Sequence, residues 1–429
     1  MNRFLAIPIL IAACLGCTTH NTIYTLHSSK PQETRSYCGC LLFVDHANNV
    51  ERLNGFEKLP INGLTRSWYH WGELAEDKKY ETRKQFLSLM QEKGIYVGGG
   101  GTLSVLNQKD LDSKSFNKEW LSLNIDGSPY QKRNRFYGSL SHPGFRNYLI
   151  KTFVEQVSLG VKQLSLGETN GQILFDDYTL GIKGDSGFIQ WLSGKYRQND
   201  SKWWKVNFGR IGEKIAKKQA INRTDFVVFA EKYKPRFEQE FGKVGSWRGT
   251  NREGNPAFLY DQYKKNLDAF LSELRLSLVE ANLNAEIDIW GFADWMFELT
   301  HKPDAFLATP PGHRWGLKWA TDTSGPFSKY EERMKEIMLQ DIERAYPAPV
   351  IYLIDHPSPF QEHFINLKDE RQAYITKSMA NLIWSLDANF VFRSYSLHSD
   401  RENFGPKLKE AISKGCRQVH SQNFCPARH

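Results

Sequence analysis

A chain of 429 residues that is 40% hydrophobic, 13% aromatic and 24% charged carries enough apolar material for a large core, which excludes a disordered protein. Beyond the extreme N-terminus no unbroken apolar run is long enough to span a bilayer, which excludes a polytopic membrane protein. The formal net charge of +8 comes from dispersed basic residues, often beside acidic ones as between Glu331 and Glu336. That pattern reads as a solvated basic surface; an acidic substrate stays open and nucleic acid is not expected as a partner.

The first segment reads as an address. Met1-Asn2-Arg3 gives a positive start, Phe4 to Ala13 a compact apolar run, and small residues and cysteine follow. This is the anatomy of a secretory signal peptide, too short for a stable membrane helix. Ile11-Ala12-Ala13-Cys14 resembles the bacterial lipoprotein processing box, which implies a signal over 1–13 and lipidation at Cys14, with Cys17 as a second, poorer site. Leu15 and Thr18, the residues after those cysteines, are not Asp, which by the same resemblance implies the outer membrane. An ordinary cleaved signal is the alternative. Residues 14–37 are polar and patternless, as a tether would be. Cys38, Cys40, Cys416 and Cys425 suit two disulfides in an oxidising compartment, in any of three pairings. Their spacing is not that of a zinc site.

The remainder, 38–429, reads as one domain of eight strands. They are expected at Leu41–Asp45, Leu64–Trp71, Ile95–Val97, Ile173–Asp177, Glu286–Gly291, Trp315–Ala320, Val350–Asp355 and Phe390–Arg393. Gly98 to Gly101, after the third, are expected to permit a close turn. Helical spacing of apolar residues covers Glu81–Lys93, Phe145–Leu159 and Leu259–Asn282. Strands alternating with helices predict an α/β fold with a parallel sheet, and eight strands predict a closed (β/α)8 barrel, the TIM barrel. A doubly wound sheet is the runner-up, but no nucleotide-binding glycine loop follows Asp45. The stretch of about 179–285, rich in Trp and Phe, predicts a large helical insertion after the fourth strand, either a cap over the barrel mouth or a peripheral subdomain.

Ser141-His142-Pro143-Gly144-Phe145-Arg146 opens a helix, Asn124-x-Asp126-Gly127 precedes it, and Ile173-Leu174-Phe175-Asp176-Asp177-Tyr178 follows. Together these resemble the TIM-barrel glycoside hydrolases, in particular the glycosyl-hydrolase-like families whose fourth strand reads Gly-Ile-His-Phe-Asp-Asp-Tyr. The likeness covers roughly Cys38 to Leu180. Gln163 to Asn170 is an insertion relative to that pattern, and the aromatic-proline pair that commonly follows the Asp-Asp-Tyr is missing. The resemblance implies a nucleophile at Asp176 or Asp177, with Asp177 favoured as the later residue.

Glycoside hydrolysis needs one protonated and one ionised carboxyl group, about 5–5.5 Å apart for retention or about 6.5–9.5 Å for inversion. Asp294, beside Trp295, is the candidate general acid, because an apolar neighbour keeps a carboxyl protonated. Glu298 is a weaker alternative. Asp355, with His356 next to it, is the candidate electrostatic helper. Asp176, Trp68, His70, Trp71, Trp315 and Trp319 are candidate sugar contacts, the indoles by stacking on pyranose faces, although Trp at such spacing is also core material. Arg393 is a candidate partner for one of these aspartates or for an acidic sugar.

The expectation is therefore a lipid-anchored envelope glycosidase acting on an oligo- or polysaccharide, with no cofactor and no metal. The metalloprotease, serine-hydrolase and phosphate-loop motifs are all lacking. Two alternatives stand beside it: a non-catalytic glycan-binding lipoprotein on the same barrel, and a metal-dependent hydrolase using Asp176, Asp177, Asp355 and His356.

Overall fold

The structure, a computed structural model, describes residues 41–44, 62–72, 80–124, 127–132, 134–167, 178, 180–182, 187–233, 235, 257–290, 294–308, 328–355, 369–386, 388–394, 410 and 413–414. Its sheet is built from parallel strands β1 (Leu41–Val44), β2 (Gly63–His70), β3 (Tyr96–Thr102), β7 (Gln163–Gly167), β8 (Glu286–Trp290), β9 (Ala305–Ala308), β10 (Val350–Asp355) and β11 (Asn389–Ser394). Each pairs with the next, and β11 returns to β1, so the circuit closes. Between β3 and β7 a small antiparallel sheet is formed by β4 (Val105–Leu106), β5 (Gln131–Lys132) and β6 (Arg135–Tyr137).

Two strands stand where the sequence pattern did not put them. The fourth place in the circuit belongs to β7, not to Ile173–Asp177, and the sixth to β9, not to Trp315–Ala320. Both displaced segments lie outside the described residues. The stretch 163–170, an insertion by family likeness, thus supplies a barrel strand. The third strand is also longer than expected: Gly98 to Gly101 lie inside β3 rather than in a turn after it.

Helices pack around the strands. They are α1 (Tyr80–Glu92), the short α2 (Gln108–Asp112), α3 (Pro143–Ser158), α4 (Phe188–Tyr196), α5 (Ser201–Ala216), α6 (Arg223–Lys232), α7 (Ala257–Glu280), α8 (Ser328–Ala345) and α9 (Asp369–Ser385). Among the described residues no helix is long and apolar enough to cross a membrane. The α3 start is written locally: His142 caps it, its Nδ1 accepting the Gly144 N–H at 3.0 Å, and Pro143 occupies the first turn, where a missing donor costs nothing.

The larger core lies between strands and helices. Leu64, Val97, Leu164, Leu166, Ile287 and Ile289 face Phe86 and Met90 of α1, Phe145 and Phe153 of α3 and Phe270 of α7, all in one buried cluster. Each such side chain contributes about 1.5–3 kcal/mol by leaving water. A second, smaller cluster, Ala305, Leu307, Ile351 and Leu353 with Tyr96 and Trp290 against it, takes the alternate residues of β9 and β10. The alternation assigns it to the inside of the barrel.

Candidate functional site at the carboxyl end of the barrel

The polar part of the interior is set by β2. Its residues from Gly63 to His70 are all buried, yet the pairing with β3 shifts register between Leu64 and Trp68. At that bulge Arg66 takes φ 59°, a left-handed conformation that a long side chain rarely adopts. Strict alternation would place Arg66 and Tyr69 on opposite faces; the bulge lets both approach one point. The Arg66 guanidinium carbon lies 3.7 Å from the Tyr69 ring centroid, 4.5 Å from that of Trp290 and 5.1 Å from that of Trp71. Arg66 and Tyr69 are fully buried, whereas Trp71 and Trp290 are partly exposed.

Neighbouring strands make room for this cluster. A side chain at Gly98 would crowd the Arg66 backbone at 3.1 Å, and one at Gly167 would collide with the Tyr69 hydroxyl. Gln156 of α3 reaches through to β3: its side-chain carbonyl accepts the Gly100 N–H at 2.7 Å and its amide donates to the Gly100 carbonyl at 3.2 Å. Farther round the same wall the Gln163 amide donates to the buried Asp288 carboxylate, joining β7 to β8. The interior is therefore polar along β2, β7 and β8 and apolar along β9 and β10.

The candidate residues from the sequence divide into three groups. Trp68, His70 and Trp71 stand together at the end of β2. Trp68 is 3% exposed and packs edge-on against Tyr80 of α1 at 5.6 Å between ring centroids, within the outer core. His70 is buried, and Trp71 meets Tyr69 edge-on at 5.3 Å. Asp355, Arg393 and Asp294 are placed by their backbone. Asp355 is the last residue of β10 and Arg393 is its register partner on β11, so these two adjoin across one ladder. Asp294 opens a short 3-10 helix, Asp294–Glu298, soon after β8 ends. Asp176, Asp177, Trp315, Trp319, His356 and Cys14, with the other cysteines, lie outside the described residues.

Arg66, Asp288, Gln163 and Trp290 were not foreseen. Arg66 had a signal, since it is the one Lys or Arg within an expected barrel strand that also carries Leu64, Trp68, Tyr69 and Trp71. Trp290 is the last residue but one of the expected fifth strand and the last of β8, near the end where a parallel barrel gathers its site groups. Among the described residues no three His, Cys, Asp or Glu side chains come close enough together to hold a metal ion.

The His-Pro motif serves the surrounding frame. The His142 ring meets Tyr178, the residue after Asp177, at 4.8 Å edge to face. Arg146 holds both carboxylate oxygens of Glu273 on α7, at 2.8 and 2.9 Å, and donates to the Leu140 carbonyl at 2.8 Å. Displaced acidities also belong to the frame. Burial, helped by the Asp110 carboxylate, pushes the Tyr148 phenol above its usual range, and a Ser115 hydrogen bond acts weakly against this. Burial alone lowers Lys302, whose ammonium donates to the Phe297 carbonyl at 2.6 Å. Asp225 of α6 is the opposite case. Burial pushes it up, but hydrogen bonds from the Asn222 backbone and Lys214, with Arg210 nearby, hold it below the ordinary carboxylate range.

Comparison of the sequence with protein-family models and with curated proteins finds no match. Solved structures do match. A β-galactosidase from Rahnella sp. R3, described as cold-adapted, superposes with TM-score 0.56 at 12% identity over 90% of this chain and 56% of its own. The β-galactosidase of the psychrophilic Marinomonas ef1 gives 0.53 at 10% identity over 90% of this chain and 60% of its own. This chain thus spans less than two thirds of the length of either. At such identity the likeness is one of architecture. The chain has an α/β fold with a parallel sheet, of the kind found in glycoside hydrolases.

Proposed function

We propose that this chain is a glycoside hydrolase acting on an oligo- or polysaccharide through paired carboxylates. Its eight-stranded circuit is read as a TIM barrel, and the helices α4 to α6 as an insertion after the fourth strand. One observation carries the reading. Asp355 ends β10, Asp294 follows the end of β8, and Asp177 comes 177 − 167 = 10 residues after the end of β7. In chain order three carboxylates thus stand at or follow the carboxyl ends of three parallel strands, and strand ends of that kind are where such barrels carry catalytic groups.

In this reading Asp177 attacks the anomeric carbon or activates a water. Asp294 protonates the leaving oxygen, and Asp355, beside Arg393, stabilises the positive charge that builds on the ring. Asp176, His70, Trp71, His356, Trp315 and Trp319 hold sugar hydroxyls and faces, with Trp68 behind them. The chain is carried to the outer membrane by a lipid on Cys14, and the carbohydrate it meets there is its partner. The galactosidase likeness makes aryl galactosides the first substrates to try.

The experiment is hydrolysis of a panel of aryl glycosides and polysaccharides by the chain lacking residues 1–37, with Asp177→Asn, Asp294→Asn and Asp355→Asn beside it. Each variant should lose at least about a hundredfold in rate while keeping its thermal transition. Wild-type rates in the Asp177→Asn protein would remove the mechanism. Saturable glycan binding with no reducing ends released would replace the hydrolase by a binding lipoprotein, and loss of activity on chelation would favour the metal-dependent reading.

A further inference from the structure

We infer that Trp71 and Trp290 form one sugar-binding platform at the barrel mouth, and that Arg66 is the positioning residue that fixes their planes. The inference rests on the proposed function, in which Trp71 already meets sugar, and deepens it by adding Trp290 and Arg66. Trp290 is the last residue of β8 and Trp71 the first after β2, so both stand at the carboxyl ends of their strands. Both keep part of their surface in contact with solvent, while Tyr69 and Arg66 beneath them keep none.

An indole partly exposed at a barrel mouth would ordinarily rotate among rotamers. Here one guanidinium lies within 3.7–5.1 Å of three ring centroids, a cation–π arrangement that favours fixed ring planes. Out of water such contacts strengthen, and the planar guanidinium serves several faces where an ammonium could not. The protein accepts a cost for this. A non-glycine residue at φ 59° inside a strand is strained by about 1–3 kcal/mol, and β3 offers glycines instead of side chains opposite it. Strain of that kind persists where the geometry it secures has a use. Ordered indole faces that keep part of their surface in solvent suit the C–H face of a pyranose ring, which sets the ligand class as a hexose unit.

The test separates binding from hydrolysis. Galactosyl, glucosyl and uronic acid-containing oligosaccharides are titrated by calorimetry into the chain lacking residues 1–37, and the best binder is carried forward. Trp290→Ala and Trp71→Ala should each weaken it by about tenfold, and Trp290→Phe, which restores a ring face, should recover most of the loss. Arg66→Lys should raise KM by about tenfold with kcat within about twofold, and should alter the near-ultraviolet circular dichroism of the tryptophans. If Arg66→Lys does not fold, the Trp290→Ala and Trp290→Phe pair decides alone. Unchanged affinity in Trp290→Ala, or no saturable binding anywhere in the panel, overturns the inference whatever the hydrolysis assays show. Binding that depends on Trp290 without hydrolysis leaves the platform standing and removes the proposed reaction.

Discussion

Gly100 shows how little freedom single residues have in the barrel wall. Its φ of 106° belongs to glycine, and a Cβ there would collide with the Ser165 backbone on β7. Gly100→Ala should therefore destabilise the fold by about 3 kcal/mol, with the urea midpoint shifted accordingly, because neither the strand nor its partner can retreat. Gly94 is the control: its φ is 69° but no atom lies within 4 Å, so alanine there should cost only about 1 kcal/mol. Asp225 gives the acid–base counterpart. Its folded pKa is held below the unfolded value, so its contribution is complete above the ordinary carboxylate pKa and fades as pH falls through the depressed one. Asp225→Asn should then cost about 2 kcal/mol at neutral pH, with Lys214 left short of its partner 2.7 Å away. Wild type and variant should converge in acid; a gap constant with pH would show that the charge is not the cause.

Elements were legible where their periodicity had no competitor. The helices α1, α3 and α7 fall within two residues of expectation, since apolar residues at helical spacing bury one face of each. The strands β7 and β9 were missed for a physical reason. In Gln-Leu-Ser-Leu-Gly the leucines face the helices while Gln163 and Ser165 face the polar interior, so the segment lacks the continuous apolar run of a parallel strand. The run at Ile173 drew the assignment away from it. Ala305–Ala308 is short and half alanine, and gave way to the tryptophans downstream. Arg66 and its rings were not legible as a group, because the bulge that assembles them has no period. Between elements, the Arg146–Glu273 pair ties α3 to α7 in bidentate geometry at partial burial. A double-mutant cycle with Arg146→Met and Glu273→Gln should give a coupling of about 1–2 kcal/mol. A value near zero would reduce the pair to surface decoration.

At the scale of the molecule, closure depends on the first strand meeting the last. β1 pairs with both β2 and β11, in register Leu41 with Val391. Removing residues 1–37 should leave one cooperative thermal transition at an unchanged temperature, whereas removing 1–45 should broaden or abolish it, as followed by calorimetry. The site was legible only as a set of strand ends. Asp355 is on one, Asp294 beyond another, and the register of Asp355 with Arg393 needed the fold to be seen. Val391 follows Leu41 by 391 − 41 = 350 residues, so the ring is completed by a contact of very long range. A ribosome must have passed β11 before that contact exists. Any product cut short before Asn389 carries β1 and β10 as open edges, each with a row of unsatisfied backbone groups. Closure thus works as a test that the last strand has been made: a chain that includes β11 hides these edges, and one that stops before it displays them to proteases and chaperones.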